Sequence, residues 1–461
     1  MTAHHPWPAF RPRARSYATS AFLLAVLVLF GTSPLHGQRL RDRLSQLFIF
    51  GSGQDPLFLA GSATSSNPAN VRVHGSHYIP AAVAENGSVI GFITGALASR
   101  VSNVPIGATT SGVTFRFEGG VPVSTSTSSG PIFAERSQTL GHGRVLAGIS
   151  RSSFDFTSLR GTPLDALRLT FTHENVDFPG CDAIAGDDCT NMGVPSFEND
   201  VMNFDLSLNI HVAVTSFYLT YGLSDRVDFG IVIPVLSNSF DGSSLATIVP
   251  FGPGPASHFF AGTATNPTLT ANRFVSGKAS GIGDVATRLK INVHQSATTG
   301  VALLFDGRFP TGDEADLLGS GKFAGRAIGI LSSTFGAFSP HVNLGLLYSA
   351  DTTRNNVVLA TAGFDHLLGK GITMAAEVVS EFQMGESKLH LPNPVHIGTP
   401  FNRVINPTSI PNIRDDIVNG SFGFKFAAAN RTTVVTNALF PLNDGGLRAR
   451  LTYTLGVEYA Y

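Results

Sequence analysis

Apolar and polar residues alternate with a period of two through most of the chain after residue 112. The even positions of 204–214 are apolar, for example, while Asp205, Asn209 and His211 occupy odd positions. This alternation is typical of β-strands with one apolar face. It predicts an all-β fold with these candidate strands: 113–118, 143–157, 165–173, 203–222, 226–239, 283–293, 299–309, 324–334, 341–349, 356–364, 371–384, 415–427, 432–441 and 447–461.

The lengths of the connections distinguish between the two architectures that this alternation permits, a soluble β-sandwich and a membrane β-barrel. Short connections are predicted at 158–164, 223–225, 294–298, 335–340, 365–370 and 428–431. The connections between them are mostly longer, at 174–202, 240–282, 310–323 and 385–414, with shorter ones at 350–355 and 442–446. Short turns at one end, longer loops at the other and an even strand number are typical of outer-membrane barrels. We therefore predict a transmembrane antiparallel β-barrel of about 14 strands over residues 112–461.

A barrel in lipid should turn its charged side chains toward the lumen, because a charge on the lipid face costs about 2–4 kcal/mol at mid-membrane. The predicted lumen-facing residues are Arg168, Asp205, Asn209, His211, Arg288, Lys290 and Glu458. The apolar phase slips from even to odd positions between Val214 and Phe217, where there is no Gly or Pro. The slip predicts a β-bulge within this strand.

The N-terminal region lacks clear strand alternation. Arg11, Arg13 and Arg15 precede the apolar run 21–30, and this layout predicts a secretory signal peptide over 1–37; an uncleaved signal anchor is the alternative. In the following segment, 38–111, several leucines share one helical face. We expect this segment to be a plug or a periplasmic segment, with a loosely ordered leader as the alternative.

Composition narrows the function classes. Charged residues make up 14% of the 461 residues and hydrophobic residues 43%. This charged fraction is low for a soluble protein, in which about a quarter of the residues are charged. Lys and Arg total 31 against 32 Asp and Glu, so the chain lacks the excess of basic residues that is typical of nucleic-acid-binding proteins. Cys181 and Cys189 lie eight residues apart, and in an exported protein this predicts a loop disulfide. We found no catalytic motif, metal site or cofactor motif, and we expect the protein to be neither an enzyme nor a cofactor carrier.

The C-terminal end carries a candidate assembly signal. Its alternating face consists of Tyr453, Leu455, Val457, Tyr459 and Tyr461. A terminal aromatic residue after alternating apolar residues resembles the signal by which outer-membrane barrels are assembled. It predicts outer-membrane lipid and the barrel-assembly machinery as partners, and it leaves the oligomeric state open.

Four sequence segments carry a family resemblance. They are Gly130–Arg144 (GPIFAERSQTLGHGR), Tyr221–Val235 (YGLSDRVDFGIVIPV), Gly281–Val285 (GIGDV) and Phe309–Asp313 (FPTGD). With them, the chain resembles the outer-membrane transporters grouped with phenol meta-cleavage pathways. Those transporters are similar to the outer-membrane channels for long-chain fatty acids and aromatic hydrocarbons. Asn67, Pro68 and Ala69 match an Asn-Pro-Ala in the N-terminal hatch of the fatty-acid channels.

Three functions are compatible with these features. The resemblance implies an outer-membrane channel for passive uptake of a small hydrophobic ligand, either fatty acids or aromatic compounds. The barrel alone would permit a general or ion-selective porin. A barrel-rim hydrolase is the third alternative, since His142, His173, His258 and His341 are available. If 38–111 plugs the lumen, removing it through Thr110 should open an ion-conducting pore.

Overall fold

The structure is a computed structural model. It describes residues 39–48, 50, 93, 95–97, 115–118, 121–124, 129–172, 200–251, 255–256, 258–351, 354–369, 371–391, 393–397, 402–428 and 431–461. The predicted signal peptide lies outside these residues. No helix in this part of the chain is long and apolar enough to cross a membrane.

The described residues from Leu40 onward form one compact unit that is almost entirely β-structure. Two short helical elements come first, α1 (Leu40–Ser45) and a 3-10 helix (Gln46–Phe48). The strands are β1 (Phe115–Glu118), β2 (Val121–Ser124), β3 (Val145–Leu159), β4 (Thr162–Pro163), β5 (Leu167–Thr172), β6 (Val201–Ser224), β7 (Val227–Val249), β8 (Ala261–Thr263), β9 (Asn266–Thr268), β10 (Thr270–Ile282), β11 (Val285–Gln295), β12 (Thr299–Phe309), β13 (Ala324–Ser333), β14 (Phe338–Ser349), β15 (Val357–Gly369), β16 (Ile372–Gln383), β17 (Val395–Ile397), β18 (Arg403–Ile405), β19 (Ile417–Ala427), β20 (Thr432–Pro441) and β21 (Leu447–Ala460).

Twelve antiparallel strands close into a barrel. Their order around the ring is β3, β6, β7, β11, β12, β13, β14, β15, β16, β19, β20 and β21, and β21 pairs with β3 to close it. Beside this seam, the backbone N–H groups of Val145 and Tyr461 each donate to the other residue's carbonyl, at 3.0 and 2.8 Å. The closed barrel confirms the predicted fold class, with twelve ring strands against about fourteen predicted. The candidates 113–118 and 165–173 correspond to β1 and β5, which lie outside the ring.

The connections are sorted by length, as predicted, with one exception. The short turns 225–226, 296–298, 334–337, 370–371 and 428–431 lie at one end, where β3 also begins and β21 ends. The other end, here called the long-loop end, carries 160–200, 250–284, 310–323, 350–356, 384–416 and 442–446. The connection predicted at 158–164 was wrongly assigned to the short-turn end. It belongs to the long-loop end because it leads into β4 and β5 rather than directly into the next ring strand.

A sheet continues the barrel beyond the ring at the long-loop end. β6 and β7 are 24 and 23 residues long and pair along nearly their whole length. The first half of β7 pairs with β11, whereas the second half pairs with β10. The first residues of β6 likewise pair with β5. We call this projecting sheet of β5, β6, β7 and β10 the extension.

The apolar phase of β6 reverses partway along the strand without any break in register. In the extension, the inward even positions are apolar and buried, and the outward odd positions from 205 to 211 are polar. Nearer the short turns, Ser216 and Thr220 face inward, while Phe217 and Leu219 are 38% and 46% exposed on the outward face. Pairing with β3 runs from Ile210 to Tyr221 without a shift, so the predicted β-bulge between Val214 and Phe217 is wrong.

The neighbouring strands reverse their phase at the same level. On β7, the outward positions are apolar up to Val235 and mostly polar after it, and inward apolar residues are more frequent from Leu236 onward. On β3, apolar Ile149 and charged Arg151 are both outward, one on each side of the change. Thr215 is register partner to both Val235 and Arg151. A level shared by three strands is explained if the medium outside the wall changes there from lipid to water, because outward side chains are apolar only where they contact lipid.

The reversal predicts that an outward charge is costly on only one side of this level. Replacing lipid-facing Leu219 with Arg should lower the free energy of unfolding by about 2–4 kcal/mol. Replacing Asn209, which is outward on the extension, with Arg should change it by no more than about 0.5 kcal/mol. Urea unfolding of both variants in lipid vesicles measures the difference. Equal losses of stability in the two variants would contradict the assigned boundary.

Candidate functional site

A non-helical segment, residues 129–144, lies inside the barrel in the half nearer the short turns, and we call it the strap. Its backbone is held by wall side chains, chiefly by Glu377 on β16. One carboxylate oxygen accepts the N–H groups of Ile132 and Ala134 at 3.0 and 3.2 Å, and the other accepts that of Phe133 at 3.0 Å. Glu377 is 4% exposed. Because a buried N–H group without a partner is costly, this carboxylate stabilises three consecutive residues of the strap.

Arg136 anchors the strap to the same side of the wall. Its guanidinium forms a two-contact ion pair with Asp365 on β15, and the Nε–Oδ1 distance is 3.2 Å. His341 on β14 lies between the two anchoring carboxylates. Its ring nitrogens are 3.7 Å from Asp365 Oδ1 and 3.5 Å from Glu377 Oε1, and its side chain is fully buried. The acidic groups of β15 and β16 therefore face one basic side chain of the strap and one histidine of the wall.

Glu135, the preceding strap residue, contacts basic side chains on β11. Its carboxylate oxygens lie 3.2 Å from Arg288 Nη1 and 3.4 Å from Lys290 Nζ. The next strand supplies Asp306 and Arg308: Asp306 lies 3.3 Å from Arg288 Nε and 3.3 Å from Arg308 Nε. All these side chains are less than a tenth exposed. Glu135 thus compensates part of the positive charge that β11 and β12 bring into the lumen.

The strap ends against the β6–β7 hairpin. The backbone N–H of Leu140 donates to both carboxylate oxygens of Asp228, at 3.1 and 3.0 Å. Gly141 has a φ of +91°, and a Cβ on Gly222 would lie 1.9 Å from its carbonyl oxygen. The close approach therefore requires glycine at 222. Two of the segments that carried the family resemblance, Gly130–Arg144 and Tyr221–Val235, meet at this contact.

A group of buried apolar side chains fills the extension at the mouth of the barrel, and we call it the outer apolar cluster. Its aromatic members are Phe50, Phe154, Phe156, Phe171, Phe204 and Phe240, with Phe48 and Phe260 packed against them. The rings of Phe171 and Phe204 are 4.8 Å apart, and that of Phe48 is 5.3 Å from Phe204. Leu40, Leu44 and Leu47 complete the cluster from α1 and the 3-10 helix. The first helical turns therefore cover the mouth with their apolar face.

Loop 310–323 holds this helical segment in place. The N–H of Leu40 donates to Asp316 Oδ1 at 3.2 Å, and the N–H of Arg41 donates to the carbonyl of Ala315 at 2.9 Å. An exposed ion pair joins Arg41 to Glu314. The acidic residues of the loop thus bind the start of α1. Among the described residues, no group of three or more His, Cys, Asp or Glu is arranged to hold a metal ion.

Asp284, between β10 and β11, fixes the loop itself. It accepts the N–H groups of Gly312 and Ser320 at 3.1 and 2.8 Å. Thr311 bridges the same junction, since its hydroxyl donates to the carbonyl of Gly283 at 2.6 Å and accepts from the N–H of Val285 at 2.9 Å. The remaining two resemblance segments, Gly281–Val285 and Phe309–Asp313, therefore also contact each other.

A small cavity lies between the strap and the wall. The cavity beside Phe133 and Glu135 has a volume of about 80 Å³, well below the roughly 300–1,000 Å³ of an ordinary ligand pocket. A larger concavity of about 470 Å³ lies in the wall of β7 and β11–β14, lined largely by outward side chains such as Phe229, Phe305 and Tyr348. The strap therefore crosses the interior between β15–β16 and β7 in this conformation.

The predicted lumen residues divide into two groups. Arg288, Lys290 and Glu458 are buried inside the barrel, where Glu458 lies 3.4 Å from Lys425 Nζ. The other four, Arg168, Asp205, Asn209 and His211, do not line the lumen, because they project outward from the extension. Arg168 donates to Asp205 at 2.6 and 2.9 Å, and this hydrogen bond raises the pKa of the guanidinium. His211 contacts the exposed carboxylate of Asp155 at 2.6 Å. The prediction placed the full length of candidate strands 165–173 and 203–222 in the membrane, whereas β5 and the first half of β6 lie above the reversal level.

The remaining sequence-predicted residues lie at the C-terminus or outside the described residues. Tyr453, Leu455, Val457, Tyr459 and Tyr461 are exposed, and their positions alternate on the outward face of the barrel end. The Arg431 guanidinium lies 5.6 Å from the centre of the Tyr461 ring. The proposed disulfide, Cys181 with Cys189, and the hatch-like Asn67, Pro68 and Ala69 lie outside the described residues. So does most of 38–111, apart from residues 39–48, 50, 93 and 95–97.

The strap residues and the side chains that bind them carry no recognisable motif in the sequence. Glu135, Arg136, Asp365 and Glu377 had no assigned role, although Gly130–Arg144 was noted for its resemblance. One signal was available: inward polar residues of predicted membrane strands, such as Glu377, need a partner inside the lumen. The segment without alternation just before the first ring strand was the nearest candidate.

Comparison with known proteins supports part of the resemblance. Residues 195–378 match a family model described as "Putative MetA-pathway of phenol degradation", which spans less than half of the chain. The match confirms the resemblance over these residues, including Tyr221–Val235, and does not extend to the strap. A search of the curated proteins found no match.

Several solved structures resemble this one at low identity. An outer membrane channel from Pseudomonas putida F1 is 11% identical with a TM-score of 0.41, covering 70% of this chain and 98% of that one. A TodX monoaromatic hydrocarbon channel mutant is 10% identical with a TM-score of 0.33, covering 69% and 90%. A Pseudomonas aeruginosa FadL homologue is 12% identical with a TM-score of 0.30, covering 69% and 90%.

The contacts of Glu377 predict how the strap responds when the Glu377 carboxylate is removed. Replacing Glu377 with Leu leaves three backbone N–H groups without their acceptor, and a hydrogen bond to a charged group contributes about 1.5–3 kcal/mol. Amide hydrogen exchange at residues 132–134 should therefore become at least about tenfold faster. Val378→Leu, at the adjacent lipid-facing position, is the matched control and should leave exchange unchanged. Unchanged exchange in the Glu377 variant would show that the carboxylate does not hold the strap.

Proposed function

We propose that this protein is a channel of the bacterial outer membrane for passive uptake of small hydrophobic molecules, fatty acids or aromatic compounds. The supporting observation is the combination of an aromatic cluster at the mouth with a strap across the lumen beneath it. An apolar molecule gains roughly 25 cal/mol for each Å² of surface that it buries, and the outer apolar cluster offers that environment. The family model's description, which names phenol degradation, supports an aromatic ligand.

The outward face of the barrel supports the membrane location. Apolar side chains cover it between the short turns and the reversal level, as in barrels that contact lipid. In such barrels the short turns face the periplasm and the long loops face outward. The outer apolar cluster would then face the cell exterior. We further propose that the exposed C-terminal face, ending at Tyr461, is recognised by the barrel-assembly machinery, and that residues 1–37 direct export.

A general porin is the alternative that the charged lumen favours. Basic side chains of β11 and β12 oppose acidic side chains of β15 and β16, and a water-filled pore of this kind would conduct ions. The strap, however, occupies the space that a porin leaves open. Two of the histidines considered for a hydrolase, His258 and His341, are each 2% exposed and contact carboxylates, which leaves their rings no direct access to a substrate.

Conductance separates the channel from the porin. Purified protein in planar bilayers should show little or no stable ion conductance, because the strap blocks the lumen. Deleting residues 38–110 removes the segment that the sequence predicted to be a plug but leaves the strap in place. We therefore expect the shortened protein to show little conductance as well. A large and stable conductance in the intact protein would instead support the porin.

Uptake of a hydrophobic probe tests the role of the mouth. Cells that produce the protein should take up an alkylbenzene faster than cells without it. Replacing Phe48 with Asp places a charge against the outer apolar cluster and should lower uptake about tenfold, because apolar surface of the probe then lies beside a charge that needs water. Ser207→Asp adds the same charge on the outward face of the extension and should have no effect. Equal uptake in both variants would contradict the proposed route, and heat-modifiable gel mobility verifies that each variant is folded.

A further inference from the structure

The barrel wall binds the main chain of the strap at several successive points. Besides the three N–H groups bound by Glu377, the N–H of Ser137 donates to the hydroxyl of Ser332 at 3.0 Å. Asn292 donates to the carbonyl of Ser137 at 2.8 Å. With its amide oriented by its partners, Asn343 donates to the carbonyl of Glu135 and accepts from its N–H, at 3.2 and 2.9 Å. These partners lie on four different ring strands, so the wall binds the main chain of the strap from several sides.

The wall also distinguishes the side chains that this backbone carries. Glu135 faces the basic groups of Arg288 and Lys290, whereas Arg136 faces the acidic group of Asp365. Glu135 and Arg136 are adjacent in sequence, yet their partners lie on β11 and on β15, so their side chains reach different sides of the lumen. Main-chain hydrogen bonds combined with side-chain selection are the usual elements of peptide recognition.

We propose that the lumen is a binding site for a non-helical, bent peptide with an acidic residue followed by a basic one, and that the strap occupies this site as an intramolecular ligand. The strap continues directly into β3 at Val145, so its local concentration at the site is high and it excludes free peptides. A peptide in solution binds only when the strap's own contacts are weakened. This ligand class is separate from the hydrophobic molecules taken up at the mouth.

A strap that merely filled space would need the right volume but no particular order of charges. The double variant Glu135→Gln with Arg136→Gln nearly preserves volume and removes both charge contacts. We expect it to conduct ions in planar bilayers, unlike the wild type. The synthetic peptide PIFAERSQT, corresponding to residues 131–139, should then block this conductance in a concentration-dependent manner.

The matched control is the peptide PIFARESQT, which has the same composition with the two charges exchanged. Each of its charges would meet side chains of like charge, so it should block at least about tenfold less effectively. Equal block by both peptides, or block by neither, would overturn the proposal. So would a folded double variant that conducts no more than the wild type.

A second variant and a measurement on the unaltered protein cover the case in which the double variant does not assemble. Arg136→Gln alone weakens one of the two charge contacts, and the same pair of peptides applies to it. In the wild type, the amides of residues 132–137 should be protected from hydrogen exchange because the wall binds them. Rapid exchange at these amides would overturn the proposal without any substitution. Hydrocarbon uptake is measured separately, so a failure of the peptide-binding proposal can be distinguished from a failure of the proposed uptake function.

Discussion

The side chains of a strand in a closed barrel point alternately toward the lumen and toward the outside. Along β6 and β7, the medium on the outside changes partway along the strand. Below the level of Thr215 the outward side chains of β6 and β7 are apolar, as expected against lipid, and above it they are mostly polar. The inward side chains change in the opposite sense, from polar to apolar. This constraint divides the interior into a charged lower part and an aromatic upper part, and each part requires a different segment of the chain to fill it.

The strap supplies partners for the buried charges of the lower part. Buried charges are costly unless they are paired and hydrogen-bonded, and the wall places basic groups on β11 and β12 and acidic groups on β15 and β16. The strap supplies Glu135 to one set and Arg136 to the other, while its backbone N–H groups satisfy Glu377. Removing either partner of such a buried pair is strongly destabilising, because the other charge remains without compensation. The polar lumen and the strap are therefore stable only together.

The sequence predicted the fold more completely than the site, for a physical reason. Period-two alternation depends on neighbouring residues, so the ring strands and the sorting of most loops were predictable. Alternation does not show whether the polar face meets the lumen or external water, which is why Asp205 and His211 were assigned to the wrong face. The strap has no period of its own, because its partners are wall side chains far away in sequence, 88 residues for Leu140 and Asp228 and 245 residues for Ile132 and Glu377. Pairings of this kind leave no local signal.

The separation of the two parts bears on how a hydrophobic ligand would move. The outer apolar cluster favours such a molecule, but the charged lumen below does not, since an apolar body there would displace the partners of buried charges. The cluster is tightly packed beneath Leu40, Leu44 and Leu47, so entry requires these side chains to move. Their helical segment is held by hydrogen bonds to loop 310–323 and by an exposed ion pair, Arg41 with Glu314, and exposed pairs contribute only about 0–1 kcal/mol. The apolar contacts of the cluster, rather than this ion pair, should therefore set the resistance of the mouth to opening.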